Sequence, residues 1–235
     1  IVIAEIPEEE RKKKEKARKQ MTTPGGSKLK KQKKIKARYS GTVSDAMTSC
    51  TVSLLGKNLT FDVQGFFQSN LGLLEKAIPL IIEGLEGKNV LDMYSGSGTF
   101  SVFLADKFEN VTLVEHNKNA IVYAEQNMAG KKHESYGLSG EVWIKYHSEN
   151  CMKTSGKFDA CVIDPPRSGM EKSVCQWLQK SGIPSIRSLS CDIATHARDI
   201  KFLSRSGYEL KKLYLLDFYP QTCHIESLAI LEKRD

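Results

Sequence analysis

The sequence predicts an α/β fold: a mostly parallel, doubly wound sheet of seven strands that ends in an antiparallel hairpin, preceded by a small β hairpin and a basic arm. Three observations predict it. Beyond residue 90, strand and helix signals alternate, the pattern of a parallel sheet covered by helices. The last two strand segments follow each other with no helix between them, so one must run antiparallel. Ahead of this region, two alternating apolar runs flank Gly56-Lys-Asn, a hairpin signal.

In chain order, the hairpin strands fall at 51–55 and 59–63. A helix is predicted over 69–85, where Leu71, Leu74, Ala77, Ile78, Ile81 and Ile82 recur at helical spacing and Gly84 with Gly87 supplies the stop. Strands are predicted at 90–93, 111–115, 142–145, 160–164, 185–190, 213–217 and 227–231, with helices at 101–107, 119–128 and 194–203. The chain divides into a basic arm (1–40), a small hairpin segment (41–67) and an α/β domain (68–235).

Composition narrows the function classes. In a 235-residue chain, 40% hydrophobic residues permit a full core. No run approaches the ~20 apolar residues of a membrane span, and the start is too short for a signal peptide, which places the expected location in the cytoplasm with no membrane partner. The opening stretch, Ile-Val-Ile-Ala-Glu, reads as a remnant of a longer chain. Six scattered cysteines without C-x-x-C spacing imply neither a metal site nor an iron–sulfur cluster. Residues 1–40 carry about fourteen Lys and Arg against about five acids, and the whole chain has a net charge of +7, so the remainder is slightly acidic. The arm either engages phosphates or is a solvated tail.

Four segments carry chemistry. Asp92-Met-Tyr-Ser-Gly96-Ser-Gly98-Thr99 follows a strand but lacks the third glycine that lets a helix approach a pyrophosphate, and a strand ending in Glu115 follows, suited to ribose hydroxyls. S-adenosylmethionine (AdoMet) has the ribose and no phosphate, so the loop favours an AdoMet site in a Rossmann-like methyltransferase fold, with another nucleotide or an unliganded turn as the alternatives the loop alone leaves open. Asp164-Pro-Pro-Arg167 ends another strand, its prolines fixing where the acid points. Where enzymes that modify a planar nitrogen have a stacking aromatic, this chain has Arg167, which leaves Asp164 to accept a hydrogen bond from an imide N–H such as uracil N3. Cys191 stands at a strand end before a helix, where the helix N-terminus and any nearby cation favour the thiolate. Glu226, in His-Ile-Glu-Ser, supplies a carboxylate for a base.

Together these residues resemble the RNA 5-methyluridine methyltransferases that act on tRNA or 23S rRNA, from about Phe61 to the C-terminus. Phe66-Phe67-Gln68-Ser-Asn70 is similar to that family's FFQ-x-N motif, which implies that Gln68 contacts the cofactor. Tyr94 and Glu115 match two further AdoMet contacts, with Gly96, Gly98, Thr99 and Asp164 completing the implied cofactor site. Asp164, with Arg167, matches the acid facing uracil and cofactor, Cys191 the nucleophile of S-C-N-P-x-T, and Glu226 the proton-abstracting base. The resemblance implies structured RNA, tRNA or rRNA, as partner, and Phe66 or Phe67 stacking as the uridine flips out. Asp192-Ile193 replaces the family's Asn-Pro and Thr99 its common asparagine; a carboxylate at Asp192 is expected to oppose thiolate formation, while Asp remains a competent helix cap. The family's N-terminal β-barrel domain and the cysteine cluster of some rRNA enzymes are not seen in the sequence. Two readings stand beside this one: a catalytically impaired AdoMet-fold RNA-binding module, if Asp192-Ile193 disables the thiol, and a nicotinamide-dependent dehydrogenase, which the missing third glycine disfavours.

Overall fold

Seven strands in the order β5-β4-β3-β6-β7-β9-β8 form the central sheet of the computed structural model, which describes residues 48–234. The basic arm lies outside the described residues. β3 (Gly87–Met93), β4 (Phe108–Val114), β5 (His133–Tyr136), β6 (Ala160–Ile163) and β7 (Ser185–Ser190) pair in parallel, while β9 (Glu226–Lys233) lies antiparallel between β7 and β8 (Tyr208–Leu216). The chain winds outward from β3 to β5, then returns to β6 on β3's other side. That reversal opens a crevice at the carboxyl ends of β3 and β6, where doubly wound sheets take their ligands.

β3, β6 and β7 bury most of their length because helices cover both faces. On one face, α1 (Leu71–Ile82), the short α2 (Ser101–Leu104) and α3 (Lys118–Asn127) pack a core around Leu74, Ile78, Ile81, Leu104 and Leu113. On the other lie α4 (Gly140–Tyr146), α5 (Ser148–Thr154), α6 (Lys172–Ser181) and α7 (Ile193–Ser204), with Trp143, Leu178, Leu203 and Tyr208 buried. α1 starts where Asn70 accepts the N–H of Leu73 at 3.1 Å, an N-cap that satisfies one of the helix's free donors.

The hairpin of β1 (Ser49–Leu54) and β2 (Lys57–Asp62) turns through Leu55 and Gly56, both at positive φ, as tight hairpins require. Leu54 and Leu59 are buried in the first core. Asn127 at the end of α3 straps β2 down: its amide accepts from Thr60 N and donates to Thr60 O, both at 2.8 Å, and also donates to Ser97 O in the glycine loop at 2.9 Å.

One predicted element is wrong. Residues 142–145 are not a strand but part of α4, and the edge strand next to β4 is His133–Tyr136. Ser139 caps α4 by accepting from Val142 N, Glu141 sits in its first turn, and Val142 faces water while Trp143 is buried. That is helical spacing over too few residues to be told from a strand by apolar content. β5 has a neighbour on one side only, so its polar His-Glu-Ser-Tyr sequence is tolerated without an apolar signal. Two helices absent from the expectation, α5 and α6, complete the second layer.

Candidate active site

Five adjacent strands bring the singled-out residues to one edge. Glu115 follows β4, Tyr94 follows β3, Asp164 follows β6, Cys191 follows β7 and Glu226 opens β9. With strands ~4.8 Å apart, residues on neighbouring strand ends fall within reach of one small ligand or base. The final pair of β7 and β9, Ser190 with Ser227, sets Cys191 beside Glu226.

The glycine loop turns immediately after β3. Tyr94, Gly96 and Gly98 all take positive φ. At Gly98 a Cβ would also meet Ala124 of α3 at 3.3 Å, so glycine is needed both for the turn and for the approach to that helix. The buried Glu115 carboxylate accepts Gly96 N at 3.0 Å and Asn117 N at 2.6 Å, which points it into the loop with lone pairs to spare. Tyr94 donates its hydroxyl to Glu171; burial and that carboxylate hold the phenol well above its ordinary range. Thr99 is almost fully buried in the same loop.

Gln68 donates to Asp164 at 3.5 Å. Burial pushes Asp164 up to about 6, opposed by the Gln68 hydrogen bond and reinforced by Glu115. Asp164 does not cap the next helix: α6 begins at Lys172, with Glu171 at its N-cap position. Asp92, at the end of β3, is fully buried, bonds Ser101 Oγ at 2.5 Å and is raised to about 7, chiefly by burial. Glu226 is raised to about 7 by burial and then by the charge of Asp164. Buried polar atoms concentrate here: Gln68 Oε1, Asp92 Oδ1, Ser95 Oγ, Ser97 Oγ and Glu226 Oε2 find no hydrogen-bond partner among the described residues. Buried polar atoms are seldom left unpaired, so this cluster is suited to a polar ligand.

Burial raises the Cys191 thiol, and Glu226 and Asp164 raise it further, while the nearby Arg167 guanidinium acts the other way. Asp192, expected to oppose the thiolate, instead accepts Thr195 N at 2.8 Å as the N-cap of α7. The carboxylates that weigh most on the sulfur are Glu226 and Asp164. The two phenylalanines separate: Phe67 stacks on Phe61 with centroids 3.9 Å apart, whereas Phe66 is 71% exposed.

The family model described as tRNA (Uracil-5-)-methyltransferase matches residues 146–234, a span that includes Asp164, Cys191 and Glu226. A second, described as Conserved hypothetical protein 95, matches residues 72–189. An "Uncharacterized RNA methyltransferase" of Treponema denticola is 43% identical over 206 residues, covering 80% of this chain and 50% of the relative. A 23S rRNA (uracil(1939)-C(5))-methyltransferase of a Shewanella species is 34% identical over 183 residues, covering 74% of this chain and 39% of the relative. The Pyrococcus abyssi tRNA (uracil-54, C5)-methyltransferase, solved in complex with S-adenosyl-L-homocysteine, superposes with a TM-score of 0.66 at 29% identity, over 78% of this chain and 44% of that one. The chain belongs to the RNA uracil-C5 methyltransferase family. Its sheet, with the antiparallel C-terminal hairpin, is the Rossmann-like methyltransferase fold. It spans half or less of the length of these curated relatives.

Within this family fold, sequence reasoning passed over three residues of the site. Asp92 carried a signal, an acid closing an apolar strand directly before the glycine loop. Glu171 becomes visible only through its bond to Tyr94. Tyr219, in the β8–β9 loop, lies near enough to Glu226 and Cys191 for their charges to raise its phenol, after burial; nothing in its local sequence marks it.

Proposed function

We propose that this chain is the catalytic part of an AdoMet-dependent enzyme that forms 5-methyluridine in tRNA or rRNA through a covalent adduct between Cys191 and uracil C6. The observation that carries the reading is the delivery of a thiol, an acid facing it and a raised carboxyl by three adjacent strands, β7, β6 and β9, beside the glycine loop.

The unpartnered Gln68, Asp92, Ser95 and Ser97 atoms fit a ligand with amine, carboxylate and hydroxyl groups, and the free lone pairs of Glu115 fit a ribose. Tyr94, Gly96, Gly98 and Thr99 line its other side. When bound, AdoMet supplies an electrophilic methyl group. Uracil C5 is a poor nucleophile; addition of the Cys191 thiolate to C6 moves electron density to C5, which would take the methyl group as the sulfonium–methyl bond breaks and S-adenosyl-L-homocysteine departs. Arg167 stabilises the thiolate. Asp164 accepts the N3–H and selects uracil over a base lacking that donor. C5 then carries hydrogen and methyl together, and Glu226 removes the hydrogen as a proton. The electron pair left behind re-forms C5=C6 and expels the sulfur. With its carboxyl raised to about 7, Glu226 is a stronger base than an ordinary glutamate, and the matching of pKa to working pH favours proton transfer. A stacked base hides C6, so the uridine must leave its helix, and the exposed Phe66 ring is available to stack in its place.

Incubation with AdoMet and either tRNA or rRNA, followed by nucleoside mass spectrometry, is expected to yield 5-methyluridine. RNA containing 5-fluorouridine is expected to be trapped covalently. A Cys191→Ala variant that traps this RNA as well as wild type would sink the mechanism.

A further inference from the structure

β6 and β7 are paired only as far as Ile163 and Ser188. Beyond that point the segment carrying Asp164 and Arg167 leaves the sheet while β7 stays paired with β9 as far as Ser190, so no β6–β7 ladder bond holds the loop against Cys191. Three side chains of α7, the helix that follows Cys191, bridge them. Thr195 Oγ1 donates to Arg167 O at 3.1 Å, Arg198 Nη2 donates to Ser168 O at 3.0 Å, and Met170 N donates to Asp199 Oδ2 at 2.9 Å. The spacing of 195, 198 and 199 puts all three on one side of the helix. Asp199 is 3% exposed, and its second oxygen accepts Arg198 Nε at 2.8 Å, so one buried carboxylate orients both the loop backbone and the arginine that holds it. Gly169 lies against the same group: at φ +79° its Cβ would stand 2.3 Å from Arg198 Nη2 and 2.5 Å from Asp199 Oδ2. The loop therefore rests on α7 with no side chain between them.

We infer that Asp199, acting with Thr195 and Arg198, is a positioning residue that fixes the Asp164–Arg167 loop relative to the Cys191 sulfur. The inference rests on the proposed roles of Cys191, Asp164 and Arg167. Asp199 acts through backbone atoms on either side of Gly169. Its influence reaches the thiol through Arg167, whose carbonyl is held by Thr195 and whose guanidinium charge favours the thiolate.

The test uses the full chain, 5-fluorouridine RNA and AdoMet. Asp199→Asn keeps the shape but offers one acceptor oxygen to two donors. Loss of this register is expected to slow adduct formation ~10- to ~100-fold, the effect of displacing a reacting group by about an ångström. AdoMet affinity is expected to fall by no more than about threefold, far less than the rate, because Gly96, Gly98 and Glu115 follow β3 and β4 and, of the implied cofactor contacts, Asp164 alone belongs to the loop that α7 holds. Combining Asp199→Asn with Arg167→Ala is expected to slow the reaction little more than Arg167→Ala alone. Thr195→Val removes a single bond to the loop and provides a second, milder variant, expected to slow adduct formation more than it weakens AdoMet binding, even should Asp199→Asn fail to fold. Adduct formation at the wild-type rate in a folded Asp199→Asn protein, or in Thr195→Val where Asp199→Asn does not fold, overturns the inference. So do losses that multiply with Arg167→Ala. A wild-type chain that forms no adduct overturns the parent reading and this inference with it, whereas a reactive wild type beside an equally reactive Asp199→Asn overturns this inference alone.

Discussion

Replacing Glu226 by glutamine should stabilise the fold at neutral and alkaline pH while blocking the last step of the reaction. In the folded chain the Glu226 carboxyl titrates at about 7, against an ordinary value of 4.5. Between those two pH values the folded chain keeps a proton that the unfolded chain has already released. Stability contributed by the neutral carboxyl is therefore present below about 4.5, falls as pH rises, and is lost once pH passes about 7. A displacement of that size corresponds to ~2–3 kcal/mol after allowance for partial access of water. Glutamine cannot ionise, so the difference in unfolding free energy between Glu226→Gln and wild type should be flat below pH 4.5 and shift by ~2–3 kcal/mol in the variant's favour by pH 8. Urea unfolding at fixed ionic strength across pH 4 to pH 8.5 measures this. With ordinary uridine RNA and AdoMet, the same variant should accumulate a covalent complex visible on a denaturing gel, because the C5 proton is not removed. A pH-independent stability difference would refute the assignment of burial as the cause of the raised carboxyl. Turnover at the wild-type rate would refute the assignment of Glu226 as the base.

Other expected outcomes follow from local geometry. Phe66→Ala should change stability by less than ~0.5 kcal/mol yet slow trapping of 5-fluorouridine RNA, whereas Phe67→Ala should cost ~2 kcal/mol through loss of its stack on Phe61; thermal melts beside trapping rates separate the two. Gly98→Ala, at φ +78° and against Ala124, should destabilise the chain by ~1–2 kcal/mol and weaken AdoMet binding at least about tenfold, as calorimetry would measure. Removing residues 1–40 should weaken RNA binding and flatten its dependence on salt; an unchanged slope would dismiss the arm as a phosphate-engaging element.

Much of the sheet was legible because strands buried on both faces must be written as short apolar runs, as in Ala160-Cys-Val-Ile and Val90-Leu. The edge strand was not. His133–Tyr136 has one strand neighbour and needs no apolar run, and the nearby Val142-Trp-Ile drew the assignment although Ser139 caps a helix there. For the site, Cys191, Asp164, Glu115 and the glycine loop stand out because strand ends and tight turns leave local signatures. Asp199 and Glu171 leave none, since what matters about each is a partner 29 and 77 residues away, and Tyr219 leaves none because only the course of the β8–β9 loop brings it near Glu226 and Cys191. Asp192 was legible as a helix cap, because Asp is a preferred residue there; that Glu226 and Asp164 are the carboxylates weighing most on the sulfur was not, because they come from other strands.

β9 is synthesised after β8 yet lies inside it, between β8 and β7. Until β9 inserts, the outer edge of β7 is open and the sheet is unfinished, although Cys191 and the glycine loop have already been made. Glu226, the base in the proposed mechanism, opens this last strand, and Ser190 pairs with Ser227 beside it. Under that proposal the strand that closes the sheet also brings the releasing base to the thiol, so completion of the sheet and competence for turnover are one event.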